Sequence, residues 1–116
     1  MLQVKPTVYD LQKQKGLRKW PQLHVDNAQE AKAAVAAGIY ILSCEPDENF
    51  EEIRKAVPTA FLSAGMPHGS ISSKSEAIKA GFALMQRGAD AVYCSHSPYF
   101  IEAMARESIP VTGHVG

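Results

Sequence analysis

Short, nearly continuous apolar runs punctuate this chain at regular intervals. Ile39-Tyr40-Ile41-Leu42-Ser43-Cys44 and Ala60-Phe61-Leu62-Ser63-Ala64 have strand length. Such runs suit parallel strands that are buried on both faces. Trp20 to Val25, Ala91 to Ser95 and Ile109 to Thr112 read as three further strands. The stretches between them carry helix signals. Thr7 can cap a short helix over Val8 to Gln14, closed by Gly16. Asp26 or Asn27 caps the Ala-rich run Ala28 to Ala37, and Gly38 follows its end. Pro46 and Asp47 open a helix from Glu48 to Val57, which Pro58 stops. Ser73-Lys74-Ser75-Glu76 has the capping-box pattern, and its helix runs to about Arg87 with Gly88 as the stop. Ser97-Pro98 places proline in the first turn of a last helix.

The predicted order is one helix, four β/α units and a fifth strand. Alternation at this spacing implies a parallel sheet with right-handed crossovers. Ala37-Gly38-Ile39-Tyr40-Ile41-Leu42-Ser43-Cys44 is echoed by Arg87-Gly88-Ala89-Asp90-Ala91-Val92-Tyr93-Cys94. The period is about fifty residues, two β/α units, as in a barrel of repeated units. The expected fold is α/β: a partial (β/α)8 TIM barrel of about four β/α units plus a fifth strand. Residues 1–19 form a helical lead-in and residues 20–116 the β/α units. A doubly wound open sheet is the rival, but no Gly-x-Gly-x-x-Gly follows the first strand. A complete barrel takes about 250 residues, and the chain has 116. It is therefore expected to be a fragment, or a homo-oligomer or half-barrel that pairs to complete the barrel.

Composition narrows the partners. Lys plus Arg and Asp plus Glu are both 12, so the formal net charge is zero. That balance argues against nucleic acid or an acidic membrane surface. No stretch is long and apolar enough to span a bilayer, and the N-terminus lacks a signal-peptide pattern. The expected location is the cytoplasm. Two widely spaced cysteines, Cys44 and Cys94, read as free thiols. The charged run Glu48 to Lys55 reads as a solvated helix face with i,i+4 pairing, for example Glu51 with Lys55.

An ordered set of motifs runs along nearly the whole chain. These are Lys5-Pro6-Thr7-Val8-Tyr9-Asp10-Leu11, Ala37-Gly38-Ile39, Ala64-Gly65-Met66-Pro67-His68-Gly69-Ser70, Gly88-Ala89-Asp90-Ala91-Val92 and Ile109-Pro110-Val111-Thr112-Gly113-His114-Val115-Gly116. In this order they resemble the front half of the ketopantoate hydroxymethyltransferases. The resemblance implies hydroxymethyl transfer from methylene-tetrahydrofolate to a small 2-oxo acid, in pantothenate biosynthesis. It also implies Mg²⁺, which holds the substrate enolate as a Lewis acid and takes oxygen ligands.

Position by position, the resemblance implies Glu45 as the metal carboxylate, and His114, Ser43 and Tyr93 beside the substrate. Gly65 and Ser95 stand where the family carries further acidic ligands, and Tyr93 stands at a family lysine. The family's enolising glutamate lies beyond Gly116. One alternative is a phosphoenolpyruvate mutase or isocitrate lyase-type barrel acting on a 2-oxo acid. Another is a non-catalytic fragment or pseudoenzyme. Cys44, Glu45, His68, Cys94, Ser95, His96 and His114 all fall at or just after strand C-termini, the catalytic face of a barrel. They could form a rebuilt site for a softer metal such as Zn²⁺ or Fe²⁺. Alternatively, the cysteines fill core layers and the histidines sit in surface loops. The loop from Met66 to Ser70 could hold an anion on its backbone donors, but reads more simply as a turn.

Overall fold

The computed structural model describes residues 5–114 and contains the predicted elements in the predicted order. Helix α1 (Val8–Lys13) leads into β1 (Gln22–His24), α2 (Ala28–Ala36), β2 (Ile41–Cys44), α3 (Phe50–Ala56), β3 (Phe61–Gly65), α4 (Lys74–Gln86), β4 (Ala91–Cys94), α5 (Pro98–Arg106) and β5 (Val111–Gly113).

Local chemistry sets the helix starts. The Thr7 hydroxyl accepts from the Asp10 amide while the Asp10 carboxylate accepts from the Thr7 amide, a reciprocal cap for α1. Of the two candidates for α2, Asn27 is the cap, accepting from the Glu30 amide at 2.8 Å. Ser73 caps α4 through the Glu76 amide, and the Glu76 carboxylate accepts from Ser72 Oγ at 2.7 Å.

Helix α3 differs from its expected start at Glu48. Asp47 builds a turn first: its carboxylate accepts from the Asn49 amide at 2.9 Å, and its carbonyl accepts from the Phe50 amide at 3.2 Å. That turn uses Glu48, and the helix begins at Phe50. The expected Glu51–Lys55 pair is also replaced. Glu51 takes both prongs of the Arg87 guanidinium, at 2.6 and 2.8 Å. A planar fork that already donates to the Pro46 and Asp47 carbonyls is a better partner than a flexible ammonium.

All five strands are parallel and lie in sequence order, β1-β2-β3-β4-β5. The order never reverses, so the sheet has no topological switch point of the doubly wound kind. Alternate residues point to opposite faces. Leu42, Cys44, Leu62, Ala64, Val92 and Cys94 share one buried cluster with residues of α2, α3, α4 and α5. Ile41, Phe61 and Ala91 face the other way and lie under Val8, Leu11 and Trp20. Four helices thus cover one face, while α1 covers the N-terminal end of the other. The described residues form an α/β fold with five parallel strands and five helices, consistent with part of a (β/α)8 barrel.

Asp90 bolts this arrangement together below β4. Its carboxylate accepts from Lys5 Nζ, from Arg54 Nη1 at 2.8 Å and from the Leu62 amide at 2.9 Å. Arg54 reaches it across Gly88, which sits at φ +113; a Cβ there would come within 3.0 Å of the Arg54 stem. Gly88 therefore serves both as the left-handed stop of α4 and as clearance for the arginine.

Both cysteines are free and buried, packed as small apolar core residues. Burial, reinforced by Asp47 and Glu45, pushes the Cys44 thiol from its ordinary 9.0 up to about 11. The folded state thus favours the protonated thiol. Its contribution to stability is full below pH 9 and is lost as pH rises toward 11. Denaturant midpoints measured across that window should fall, and the fall should be smaller in Cys44→Ala. In a thiol-titration assay at pH 8, neither cysteine of the folded protein should react, and both should react after unfolding.

Candidate functional site

The C-terminal ends of β1 to β4 bring polar side chains onto the face that α1 leaves open. Register decides which ones. His24 pairs with Ser43, Ser43 with Ser63, and Gly65 with Tyr93. Side chains of paired residues in parallel strands project to the same face. Gln22, His24, Ser43, Glu45, Gly65 and Tyr93 line a cavity of about 160 Å³ there, with Cys44 at its edge. A larger cleft of about 650 Å³ lies toward the other end of the strands, between α1 and β5, lined mainly by apolar groups such as Leu11, Phe61 and Val111.

Two hydroxyl–imidazole pairs flank the small cavity. Ser43 Oγ lies 3.1 Å from His24 Nδ1, and His24 Nε2 lies 3.5 Å from the Asp26 carboxylate. With the ring proton on Nε2 toward Asp26, Nδ1 accepts from the Ser43 hydroxyl. Tyr93 Oη and His114 Nδ1 form the second pair, at 2.5 Å. The His114 amide donates to the Cys94 carbonyl at 3.1 Å, which fixes the histidine just past β5.

Between the pairs stands Glu45. Its Oε2 would lie 3.6 Å from a Cβ on Gly65, so its carboxylate occupies the space beside that bare backbone. No salt bridge to Glu45 occurs among the described residues.

The structure thus gathers the expected Ser43, Glu45 and Tyr93 around one cavity, with His114 bonded to Tyr93. It adds His24, which the sequence pattern did not single out. His24 sits on a three-residue edge strand, and its partner lies 19 positions away. The available signal was the alternation of polar Gln22 and His24 with apolar Leu23 and Val25, which puts His24 on the open face.

The softer-metal set gathers only in part, with Cys94 Sγ 3.8 Å from His96 Nδ1. Cys44 and Cys94 point into the helix-side core. His96 Nε2 accepts from the Gly69 amide at 3.0 Å, and His68 stacks on the His96 ring at 5.6 Å. The Ser70 amide donates to the Pro67 carbonyl, so the segment from Met66 to Ser70 is a turn, and its Met66 and Gly69 amides are taken by the Tyr93 carbonyl and the His96 ring. Ser95 is half-buried at the end of β4. Among the described residues, no three His, Cys, Asp or Glu side chains come together to hold a metal ion. Mg²⁺ prefers several oxygen ligands in near-octahedral geometry. One carboxylate with two hydroxyls, each engaged with an imidazole, does not fit it.

The family model of ketopantoate hydroxymethyltransferase matches residues 47–116, well over half of the chain. The chain belongs to the ketopantoate hydroxymethyltransferase family. No curated protein matches it at a significant level. The hydroxymethyltransferase match spans α3 to β5 and takes in Gly65, Tyr93 and His114. His24, Ser43 and Glu45 lie ahead of the matched residues. Val115 and Gly116, which end the Gly-His-Val-Gly motif, lie outside the described residues.

Among the described residues, no helix is long and apolar enough to cross a membrane.

Proposed function

We propose that the protein carries out hydroxymethyltransferase-type chemistry, adding a one-carbon unit to the enolate of a small 2-oxo acid. The family's substrate, 3-methyl-2-oxobutanoate, and its donor, methylene-tetrahydrofolate, are the specific pair proposed, with the product feeding pantothenate synthesis. The observation that carries this reading is the cavity at the C-terminal ends of four parallel strands, where Ser43, Glu45 and Tyr93 meet. A molecule with a carboxylate next to a carbonyl needs several hydrogen-bond donors on one side and an apolar wall for its alkyl end. Tyr93 and the His24–Ser43 pair supply candidate donors. Mg²⁺ has no part in this proposal, because the donor set does not fit it.

The sheet is proposed to be part of a (β/α)8 barrel, closed by further strands from a second copy or another half-barrel, in a cytoplasmic protein. The strand ends that form the site would then be the catalytic face of that barrel.

Incubation with 3-methyl-2-oxobutanoate and methylene-tetrahydrofolate, followed by mass spectrometry, should show the hydroxymethylated acid. Its absence, with and without added Mg²⁺, would contradict the proposal. Ser43→Ala should raise KM for the oxo acid roughly tenfold, the loss of one hydrogen bond of about 1.4 kcal/mol, with little change in kcat.

A further inference from the structure

We infer that the proton transfer at this site is acid–base chemistry by the chain's own side chains: Glu45 removes a proton from the carbon next to the substrate carbonyl, and Tyr93, held by His114, stabilises the oxygen. This inference rests on the 2-oxo acid reading. It starts from the misfit between the donor set and a hard cation.

Three observations define the machinery. The Glu45 carboxylate lies over Gly65 and has no cationic partner among the described residues. Tyr93 is the register partner of Gly65 on the next strand, and both line the same cavity as Glu45. The bare Gly65 backbone therefore separates a carboxylate on one side from a phenol on the other. Finally, His114 Nδ1 sits on the Tyr93 oxygen. With a proton on Nδ1, His114 donates to that oxygen and leaves the phenolic proton free for a ligand.

A 2-oxo acid held over Gly65 would meet both groups. A carboxylate within reach of an acidic C–H acts as a general base, and a phenol aimed at the carbonyl stabilises the developing enolate. Ketosteroid isomerase, with an aspartate base and a tyrosine donor, works by the same division of labour. In the step, the C3–H bond breaks and its proton goes to a Glu45 oxygen. The electron pair forms the C2–C3 double bond, and the carbonyl pair moves onto oxygen, where it takes the Tyr93 hydrogen bond. Return of a solvent-exchanged deuteron from Glu45 restores the oxo acid. No oxidant, co-substrate or metal enters the balance. His24 and Ser43 line the same cavity and serve to hold the substrate carboxylate, while Asp26 steadies the far nitrogen of the His24 ring.

The test is hydrogen–deuterium exchange at C3 of 3-methyl-2-oxobutanoate in D₂O, followed by proton NMR, with saturation transfer to the acid as the binding readout. Exchange should exceed the buffer rate and be unchanged by EDTA. Glu45→Gln should reduce it at least 100-fold and Tyr93→Phe about tenfold, with saturation transfer retained. Thermal unfolding of both variants checks that they fold. Exchange that disappears in EDTA and returns with Mg²⁺ would overturn the inference, as would undiminished exchange in a folded Glu45→Gln. Binding without any exchange would overturn it while leaving the substrate reading standing. Absence of saturation transfer to the unsubstituted protein would sink both.

Discussion

Asp90→Ala should lower the thermal midpoint by roughly 10–20 °C, with the far-UV spectrum of the surviving folded state little changed. The substitution removes the acceptor of three donors at once: Lys5 Nζ, Arg54 Nη1 and the Leu62 amide. The Leu62 amide matters most, because Leu62 lies in a central strand and is fully buried, so no water can replace the lost partner. Arg54 keeps the carbonyls of Val57, Ala60 and Gly88, which limits the damage on that side. Lys5 is more than a third exposed, and its pair adds little. A cost of about 2–3 kcal/mol follows from one orphaned buried amide and one weakened, partly buried ion pair. For a domain near this size, each kcal/mol moves the midpoint by about 4–8 °C. Asp90→Asn keeps an acceptor for Leu62 and should lose less than half as much. Equal losses in the two variants would show that the charge, rather than the backbone acceptor, is what matters.

Phe50→Ala is expected to cost about 3–5 kcal/mol, the range for deleting a buried aromatic ring. Phe50 is fully buried, and with Ile53 it anchors the short helix α3 to the sheet. Its ring also lies 5.1 Å from the Arg87 guanidinium, which in turn ties Pro46 and Asp47 to Glu51. Those two residues directly follow Glu45. Loss of the ring should therefore loosen the loop that carries the site carboxylate as well as destabilise the fold. Urea unfolding should show a lower midpoint with an unchanged slope, and the Glu45 region should gain amide exchange in the folded state. An unfolding free energy within about 1 kcal/mol of that of the unsubstituted protein would mean that α3 is held by other contacts.

How far the sequence reached can be judged from particular residues. Thr7, Asn27 and Ser73 each cap the helix that the capping rules assign them, because a cap depends on residues three apart. The apolar runs ending at Cys44 and Ala64 become central strands, because a run of that length and composition has few other ways to be buried. Interactions between distant segments were not legible. Glu51 chose Arg87, 36 residues away, over the near neighbour Lys55, because the guanidinium was already held by two carbonyls. His24 gained its place through strand register with Ser43, which no local pattern encodes. Asp90 was visible as part of a motif, but its three donors come from three separate segments, so its bolting role emerges only in the fold. The motif resemblance singled out Ser43, Glu45, Tyr93 and His114, and the fold places the first three around one cavity with His114 bonded to Tyr93. The relation of Glu45 to the empty side-chain position at Gly65 arises only when β2 and β3 pair.

The strand ends carrying His24, Ser43, Glu45 and Tyr93 are the proposed binding site of a 2-oxo acid. A titration of the isotope-labelled protein with 3-methyl-2-oxobutanoate, followed by amide chemical shifts, tests it most directly. Saturable shifts should be centred on Ser43, Glu45, Gly65 and Tyr93 and extend to His24 and His114. Shifts centred instead on the apolar cleft around Leu11, Phe61 and Val111, or no saturable shifts at all, would contradict it.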